Sequence, residues 1–270
     1  MAAGGPAWSD TALTKALANV ERATPAASAQ LLIRHALTGA KPVLASADNG
    51  KNYWLKWPGN PHGNLSLVHE VVVAGIGTLI GAPVRPGCLV TVVDALVDDY
   101  YIEGSRLPAG AYFGSEVLPD VEEHTAIVRV ARDGNASRFA YYHALWDLCL
   151  GTDLQLLYDI GQQHQVWSID HGLWFDSLEG DWSPELLQQR SGKPWDWPAG
   201  ELPSGLEKTG FTAAADAIDA LSDTDLAGVM AGVPLEWGVS DNVLRTLALF
   251  IYARRPVVAR RLREIVTEHP

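Results

Sequence analysis

The stretch "YWLKWPGNPHGNLSLVHEVVVAGIGTLIGAPV", residues 53–84, predicts a strand, a polar loop and a helix in succession. Its first residues are mostly aromatic and apolar, and they place Lys56 between two tryptophans. After the loop, apolar residues recur at the spacing of one helix face. They are Leu65, Val68, Val72, Ile76 and Leu79. Gly81 and Pro83 then end the helix, because Gly accepts a left-handed cap and Pro cannot continue a helix. The unit therefore predicts one helix laid against a lysine-bearing strand.

The residues around this unit predict an antiparallel sheet. Upstream, "LLIRHALTG" (31–39) is a strand pattern, and "KPVLASADNGKNYWLKWPG" (41–59) holds two more. The "DNGK" between those two predicts a hairpin, because Asn-Gly tolerates the positive φ of a tight turn. "CLVTVVDAL" (88–96) predicts a further strand and "DDYYIEG" (98–104) another. We expect "RLPAGAYFGSE" (106–116) to be a loop, because Gly and Pro punctuate it.

The second half of the chain predicts helices and one small hairpin. "ASRFAYYHALWDLCLG" (136–151) is apolar enough for a helix buried on most sides. "LQLLYD" and "QVWSID", within 154–170, predict two short paired strands. "DWSPELLQQR" (181–190) has the Ser-Pro start of a capped helix, and residues 211–266 are helical in pattern.

These elements predict an α+β, bilobal fold with a β-rich N-lobe that contains one helix. The C-lobe is expected to be mainly helical and to carry a small β-hairpin. The expected boundaries are an N-terminal extension at 1–27, an N-lobe at 28–104 and a C-lobe at 105–270. The extension is predicted to hold a short helix that is capped by Ser9 or Asp10 and reaches about Arg22. Ligands prefer the cleft between two such lobes.

Composition argues against several classes of function. Lys plus Arg is 20 and Asp plus Glu is 32, so the net charge is −12. We expect no nucleic-acid partner, because such binding needs a basic surface. No apolar run reaches the roughly 18 residues of a membrane span, and the N-terminus lacks the regions of a signal peptide. A cytoplasmic protein without a membrane partner is therefore expected. Cys88 and Cys149 lie in apolar contexts and are expected to be buried thiols.

Three charged residues stand out by their surroundings. Lys56 either faces solvent or is held inward, and Glu70 on the next helix could pair with it and orient it toward a phosphate. Asp170 ends a strand just before Gly172, where it could reach a divalent cation or only cap the next turn. If the hairpin forms, Asp153 lies at the same end as Asp170. These two carboxylates make a metal-site hypothesis.

Two loops beside this unit are candidates for ligand contacts. Gly39 and Lys41, in "LTGAKPVLA", could cover phosphates, although the spacing of a Walker A motif is absent. Asn60 and His62, in "NPHGN", could belong to a loop that donates backbone N–H groups, or the loop could only join a strand to a helix.

The lobe order, Lys56, Glu70 and "SIDHG" (168–172) together resemble the HipA-like kinase family, in particular its small single-domain actinobacterial type. The resemblance runs from about Leu32 to about Leu187. "YWLKWPG" is similar to the family's strand lysine, which contacts nucleotide phosphates, and Glu70 matches the glutamate of its next helix. "LTGAKP" is similar to its phosphate-covering loop, and "YFGSE" to an element after the first lobe. "SIDHG" resembles its metal-binding aspartate segment, which has the role of the DFG aspartate of protein kinases.

The chain departs from the family in the catalytic segment. The family has an aspartate and, five residues later, an asparagine before a short strand. Counting back from "LQLLY" puts the asparagine position at Asp153 and the catalytic position at Leu148. Asp147 is one residue away and a bulge would bring it into place; alternatively, Asp153 itself is the base. The catalytic candidates are therefore Asp147 and Asp153, and the metal candidates are Asp153 and Asp170.

The resemblance implies an ATP- and Mg²⁺-dependent phosphotransferase with a protein-kinase-like fold that acts on a hydroxyl group. The acceptor, a protein or a small molecule, is not specified by the sequence. Because Leu148 stands at the expected catalytic position, the alternative is a nucleotide-binding pseudokinase, a protein-interaction module without turnover. A third reading is a structural protein whose polar residues are ordinary surface.

Overall fold

The structure is a computed structural model that describes residues 10–37, 39–177, 182–197 and 202–268. The strands of its first part enclose one apolar core. One helix from the first part and the helices of the second part enclose a larger core. The predicted α+β, bilobal architecture is confirmed.

The strands and α-helices in the described part of the chain have the following bounds. The strands are β1 (Ala27–His35), β2 (Val43–Ala47), β3 (Asn52–Lys56), β4 (Gly87–Val92), β5 (Tyr101–Ile102), β6 (Ser105–Arg106), β7 (Gly110–Glu116), β8 (Val121–His124), β9 (Leu156–Asp159) and β10 (Gln165–Ser168). The helices are α1 (Thr11–Ala18), α2 (Gly63–Ile80), α3 (Asp94–Val97), α4 (Asn135–Leu148), α5 (Pro184–Arg190), α6 (Lys208–Ala220), α7 (Asp223–Ala231) and α8 (Asp241–Glu268).

Five strands form the N-lobe barrel, in the order β1, β2, β3, β7, β4. The predicted hairpin is confirmed, since β2 and β3 pair antiparallel and Gly50 in their turn has a φ of 77°. A short parallel pairing of β1 with β4 closes the barrel. This sheet fixes β3, and with it Lys56, between two neighbouring strands.

The loop predicted for residues 106–116 was wrong, because 110–116 form β7. This strand pairs with β3 on one side and β4 on the other. Gly114 serves close packing rather than a turn: a β-carbon there would lie 2.9 Å from Val90 and 3.0 Å from Leu55. The barrel therefore extends beyond residue 104, where the N-lobe was expected to end.

Residues 94–104 also differ from expectation. A short helix, α3, replaces the end of one predicted strand, and the next predicted strand is reduced to β5, which pairs with β6. At the N-terminus, the Asp10 carboxylate caps α1 by accepting the Leu13 N–H at 2.8 Å. Ser9 lies outside the described residues. Of the two cysteines expected to be buried, Cys149 is buried and Cys88 is partly exposed.

The long helix α2 joins the two lobes. Gly81 ends it with a φ of 80°, as the sequence predicts. The helix packs on β7 of the barrel and on α4, α6 and α7 of the C-lobe. By length and composition it could cross a membrane, yet 61% of it is buried inside the protein. Its apolar character is explained by its burial in the larger core.

The C-lobe is mainly helical, as predicted. The hairpin of β9 and β10 is confirmed, and β8 adds an unpredicted third strand to it. Ser183 caps α5 ahead of Pro184, as expected. The predicted helical region 211–266 consists of α6, α7 and α8. An isolated bridge between Val84 and Ser168 connects the N-lobe to the hairpin.

Candidate active site

Three charged side chains meet where the two lobes face each other. We call Lys56 (end of β3), Glu70 (α2) and Asp170 (after β10) the cleft cluster. Lys56 forms an ion pair with Glu70 and a second with Asp170, whose Oδ1 lies 2.5 Å from the lysine Nζ. Lys56 and Glu70 are buried, while the Asp170 side chain keeps 38% of its exposure. Lys56 is therefore held inward and does not face solvent.

The pKa values of the cleft cluster reflect burial and mutual attraction. Burial alone would lower the pKa of Lys56, but Asp170 and Glu70 raise it above its usual value. Lys56 lowers the pKa of Asp170, against the effect of burial. Burial raises the pKa of Glu70, which the lysine opposes. With all three groups ionised, two carboxylates face one ammonium, so the cluster carries a net charge of −1 and favours a further cation.

Asp170 has an unusual backbone conformation for a non-glycine residue. Its φ is 58°, in the left-handed region that Asp tolerates better than most residues. This turn takes the chain out of β10 and points Asp170 toward Lys56. The following Gly172 packs against α2, where an added β-carbon would lie 3.3 Å from the Ser66 Cβ. The role of Gly172 is thus close approach to the helix.

A cavity of about 270 Å³ opens beside the cleft cluster. Its walls combine the three charged groups with apolar side chains from β3, β7 and the hairpin. The apolar wall residues include Ala36, Trp54, Phe113, Val117, Leu118, Leu157 and Ile169. Gln155 and His171 also line it. Such a slot, apolar with a few convergent charges, is typical of a small-molecule site.

Asp153 lies at the same end of the hairpin as Asp170, as predicted. The last paired residues are Leu156 and Ser168, and the Ile169 N–H still donates to the Gln155 carbonyl at 3.2 Å. Asp153 is half-buried, and its Oδ2 accepts a hydrogen bond from Gln155 Nε2 at 2.5 Å. Because Gln155 lines the cavity, it connects Asp153 to the edge of the site.

The structure does not bring Asp147 to the cleft. Its buried carboxylate accepts hydrogen bonds from Arg254 at 2.6 Å and Arg261 at 2.5 Å, both on α8. It lines a separate small cavity of about 170 Å³. Burial raises the pKa of Asp147, and the two guanidiniums counteract this effect. Asp147 stands on the last turn of α4, whose phase turns it toward α8 and away from Lys56.

Gly39 and Lys41 lie in the turn between β1 and β2. Gly39 has a φ of 51°, and a β-carbon there would lie 3.7 Å from the His62 ring. Lys41 forms an ion pair with Glu103, next to the β5–β6 pair, rather than reaching into the cavity. Pro42 does line the cavity, so this turn stands at its rim.

Asn60 and His62 lie in the loop before α2. The buried Asn60 side chain serves the loop itself: it donates to the Trp57 carbonyl at 3.0 Å and accepts the His62 N–H at 2.9 Å. These bonds are those of a loop that joins a strand to a helix, the second of the two interpretations of "NPHGN". His62 is half-buried and close enough to Asp170 to help lower the pKa of that carboxyl.

Sequence reasoning missed several residues of the site. His171 Nδ1 lies 3.7 Å from Glu70 Oε2, and its Nε2 lies 2.8 Å from Ser168 Oγ. Arg85 donates twice to the Glu116 carbonyl at 3.2 Å, at the end of β7. The histidine directly after Asp170 was the signal that could have led to His171. Arg85 offers no comparable local signal.

No three His, Cys, Asp or Glu side chains in the described part of the chain group closely enough to hold a metal by themselves. A cation beside Asp170 would therefore need oxygen ligands from a bound molecule or from water, which is how Mg²⁺ binds at phosphate sites.

Comparisons with known proteins place this geometry in a family. A family model described as HipA-like kinase matches residues 30–181, more than half of the chain. Among solved structures, a Helicobacter pylori proinflammatory kinase, CtkA, is similar with a TM-score of 0.54 and 11% identity, over 92% of this chain and 98% of that one. The Golgi casein kinase aligns with a TM-score of 0.40 and 11% identity, over 90% of this chain and 72% of that one. No curated protein matches.

The structural likeness shows a kinase-like fold, which confirms the predicted bilobal class. The matched residues 30–181 include the cleft cluster and Asp153. The chain belongs to the HipA-like kinase family.

Proposed function

We propose that the protein is an ATP- and Mg²⁺-dependent phosphotransferase that acts on a hydroxyl group. The observation that carries the proposal is the cleft cluster, in which Lys56 is held between Glu70 and Asp170 at the wall of a largely apolar cavity. Family membership supports a kinase-type activity. Phosphoryl transfer depends mostly on positioning and charge neutralisation, which such a cluster can supply.

The residues present fit a nucleotide. The apolar walls, among them Trp54 and Phe113, suit a base, and the Lys56 ammonium lies beside them for the phosphate oxygens. Glu70 keeps the lysine in place, because a buried ammonium without a carboxylate partner would favour its neutral form. In this proposal Lys56 exchanges part of its contact with Asp170 for a phosphate oxygen when the nucleotide binds.

The residues also fit one Mg²⁺. Asp170 and Asp153 are the proposed ligands, and the net charge of −1 in the cleft cluster favours a cation there. When bound, Mg²⁺ supplies positive charge that neutralises the phosphate oxygens during transfer. The Gln155 amide nitrogen donates to Asp153 Oδ2, and its amide oxygen is a further candidate Mg²⁺ ligand at the edge of the cavity.

Asp153 is also our candidate for the residue that orients the acceptor. In the transfer, the acceptor oxygen forms a bond to the γ-phosphorus as the bond to the β-phosphate oxygen breaks. ADP leaves, and Asp153 accepts the hydroxyl proton. Asp147 is a weaker candidate for this role, because both of its oxygens are held by arginines of α8. The turn with Gly39 and Lys41 would lie over the phosphates.

The alternative is a pseudokinase that binds nucleotide without turnover. The observation in its favour is the position of Asp147, which is enclosed in the C-lobe between Arg254 and Arg261, while Leu148 stands at the catalytic position that the family resemblance implies. The two proposals share the nucleotide and differ only in the transfer step. The cytoplasmic location stays a prediction.

Labelled ATP separates the two proposals. The purified protein is incubated with γ-labelled ATP and Mg²⁺, alone and with pools of peptides and small alcohols, while calorimetry measures nucleotide binding. Labelling of the protein or of an acceptor supports the phosphotransferase. Binding without any labelled product supports the pseudokinase, and the absence of binding contradicts both.

Two isosteric variants test the assignment of the base. Asp153→Asn should lower transfer by about 100-fold or more, the usual contribution of a general base. Asp147→Asn is the matched control, because it keeps the shape of a residue that we place outside the cleft. Its transfer rate should stay within about threefold of the wild type. The reverse pattern would move the role to Asp147.

A further inference from the structure

Two consecutive residues of α2 face two consecutive residues that follow Asp170. Glu70 Oε2 lies 3.7 Å from His171 Nδ1, and His69 Nδ1 lies 2.8 Å from the Gly172 carbonyl oxygen. His69, Glu70 and His171 are buried. The helix that supplies the glutamate of the cleft cluster is therefore attached directly to the chain segment that supplies its aspartate.

The hydrogen bonds of His69 define its protonation. A carbonyl oxygen only accepts, so His69 Nδ1 donates to Gly172. An indole N–H only donates, and the Trp182 Nε1 lies 2.7 Å from His69 Nε2, so that nitrogen accepts. His69 is thus neutral with its proton on Nδ1, which agrees with the lowering of its pKa to about 4 by burial. Both ring nitrogens are used.

The segment that His69 contacts has an unfavourable backbone. Asp170, Phe175 and Asp176 have φ values of 58°, 67° and 52°. Non-glycine residues adopt this left-handed region only when surrounding contacts hold them there. His69 supplies such contacts at two places, through the Gly172 carbonyl and through ring packing on Phe175, with centroids 5.2 Å apart.

The Trp182 contact extends the same attachment further along the chain. The sequence positions that His69 contacts, at 172, 175 and 182, begin two residues after Asp170 and span 11 residues. The buried His69 side chain therefore contacts several residues of the segment that follows Asp170, the proposed metal ligand. Rotation of α2 would break these contacts.

We propose that His69 is a positioning residue that holds residues 170–177 on α2, so that Glu70 and Asp170 reach Lys56 together. The proposal rests on the proposed function for its consequence, nucleotide and metal binding, but the attachment itself is a property of the free protein. His69 touches neither nucleotide nor acceptor in this scheme. It acts through Gly172 and through the helix that carries Glu70.

Hydrogen exchange tests the attachment in the ligand-free protein. His69→Phe keeps a buried ring but removes both hydrogen bonds, and His69→Asn retains an N–H donor for the Gly172 carbonyl. His143→Phe is the matched control, since His143 is a buried histidine packed on Trp197 and Phe211 in the C-lobe. Amide exchange in residues 171–177 should be at least tenfold faster in His69→Phe, close to wild type in His69→Asn, and unchanged in His143→Phe.

Affinity for ATP with Mg²⁺, measured by calorimetry, separates positioning from mere packing. We expect a loss of at least tenfold in His69→Phe and recovery to within threefold of wild type in His69→Asn. Unchanged exchange in His69→Phe, or an equal increase in His143→Phe, would overturn the proposal. So would faster exchange with unchanged affinity. If His69→Phe does not fold, His69→Asn must keep exchange and affinity near wild type, and failure of either overturns the proposal.

If wild type binds no ATP, the proposed function fails while the exchange results still decide whether the attachment exists. The two ideas can therefore fail separately.

Discussion

Two buried ion clusters in this protein each contain an aspartate that sequence reasoning assigned to the same active site. The cleft cluster has two carboxylates around one ammonium, beside a cavity. The other, which we call the C-lobe cluster, consists of Asp147, Arg254 and Arg261. It has two guanidiniums around one carboxylate. The first thus has a net charge of −1 and the second of +1.

The two clusters differ in the exposure of their aspartates, since the Asp147 side chain is only 2% exposed. Arg254 is fully buried and also donates to the backbone carbonyls of Asp147, Arg190 and Lys193, at 2.6–3.1 Å. It thereby ties α4, α8 and the end of α5 together. Asp170, by contrast, keeps 38% of its side-chain exposure. Groups whose hydrogen bonds are all internal stabilise the fold, whereas a partly exposed, unbalanced charge beside a cavity is available to a ligand.

The largest effect is expected from Arg254→Met. This change leaves the buried Asp147 carboxylate with one cation and deprives several carbonyls of their donor, so the free energy of unfolding should fall by about 3–5 kcal/mol. Denaturant titration of the ligand-free protein measures it. Arg260→Met, on the same helix but in an exposed pair with Glu264, is the control and should cost less than about 0.5 kcal/mol.

Arg254→Met should not change nucleotide affinity, because the C-lobe cluster lies outside the cleft. At a temperature where the variant is folded, its affinity for ATP should stay within about threefold of the wild type. A much larger loss of affinity at preserved stability would mean that the C-lobe cluster belongs to the active site after all.

The next effect is expected from Lys56→Met in the cleft cluster. A hydrogen bond to a charged group contributes about 1.5–3 kcal/mol, so ATP affinity should fall by about 10- to 100-fold. Calorimetry with ATP and Mg²⁺ measures this loss. Lys51→Met is the control from the neighbouring turn, since Lys51 forms an exposed pair with Glu116. Equal affinities of the Lys56 and Lys51 variants would contradict the assignment of Lys56.

The contrast between Asp147 and Asp153 shows where sequence reasoning stops. Lys56, Glu70 and Asp170 were found because each lies in a local pattern, a strand, a helix or a strand end, and the hairpin placed Asp153 near Asp170. The position of Asp147 depends on Arg254, which is 107 residues away. No local spacing indicates which face of α4 meets α8, so the choice between the two aspartates needed the packed structure.

The same limit applies to β7 and His69. The glycines of residues 110–116 resemble a loop locally, yet they allow a strand to fit between β3 and β4. A histidine beside a glutamate on an apolar helix carries no sign of its bond to Gly172. Long-range closure of the barrel and contacts between lobes decide both cases.

Acid should destabilise the protein through histidines that are buried in the neutral form. Burial lowers the pKa of His143 to about 4, with a smaller effect of Arg261, and that of His69 to about 4. An unfolded histidine has a pKa of about 6.5, so between pH 6.5 and 4 the unfolded chain binds more protons. The contribution of each such histidine to the free energy of unfolding is therefore complete above pH 6.5. Below that pH it falls by up to about 1.4 kcal/mol per pH unit.

Denaturant titrations from pH 7 to pH 4.5 measure this slope. His143→Phe should reduce it by about 1 kcal/mol per pH unit, because one of these histidines is removed. An unchanged slope would show that His143 binds a proton in the folded state, which the positive charge of the C-lobe cluster opposes.

The smallest effect is expected from Lys41→Ala, at the rim of the cavity. The Lys41 ammonium is paired with Glu103, whose side chain is 75% exposed, so its loss should change ATP affinity by less than about threefold. The resemblance to a phosphate-covering loop predicts a larger loss. A drop of tenfold or more would mean that Lys41 leaves Glu103 when the nucleotide binds. In that case Glu103→Gln, which frees the lysine beforehand, should bind ATP more tightly than wild type, and calorimetry on both variants decides between a fixed rim and a moving one.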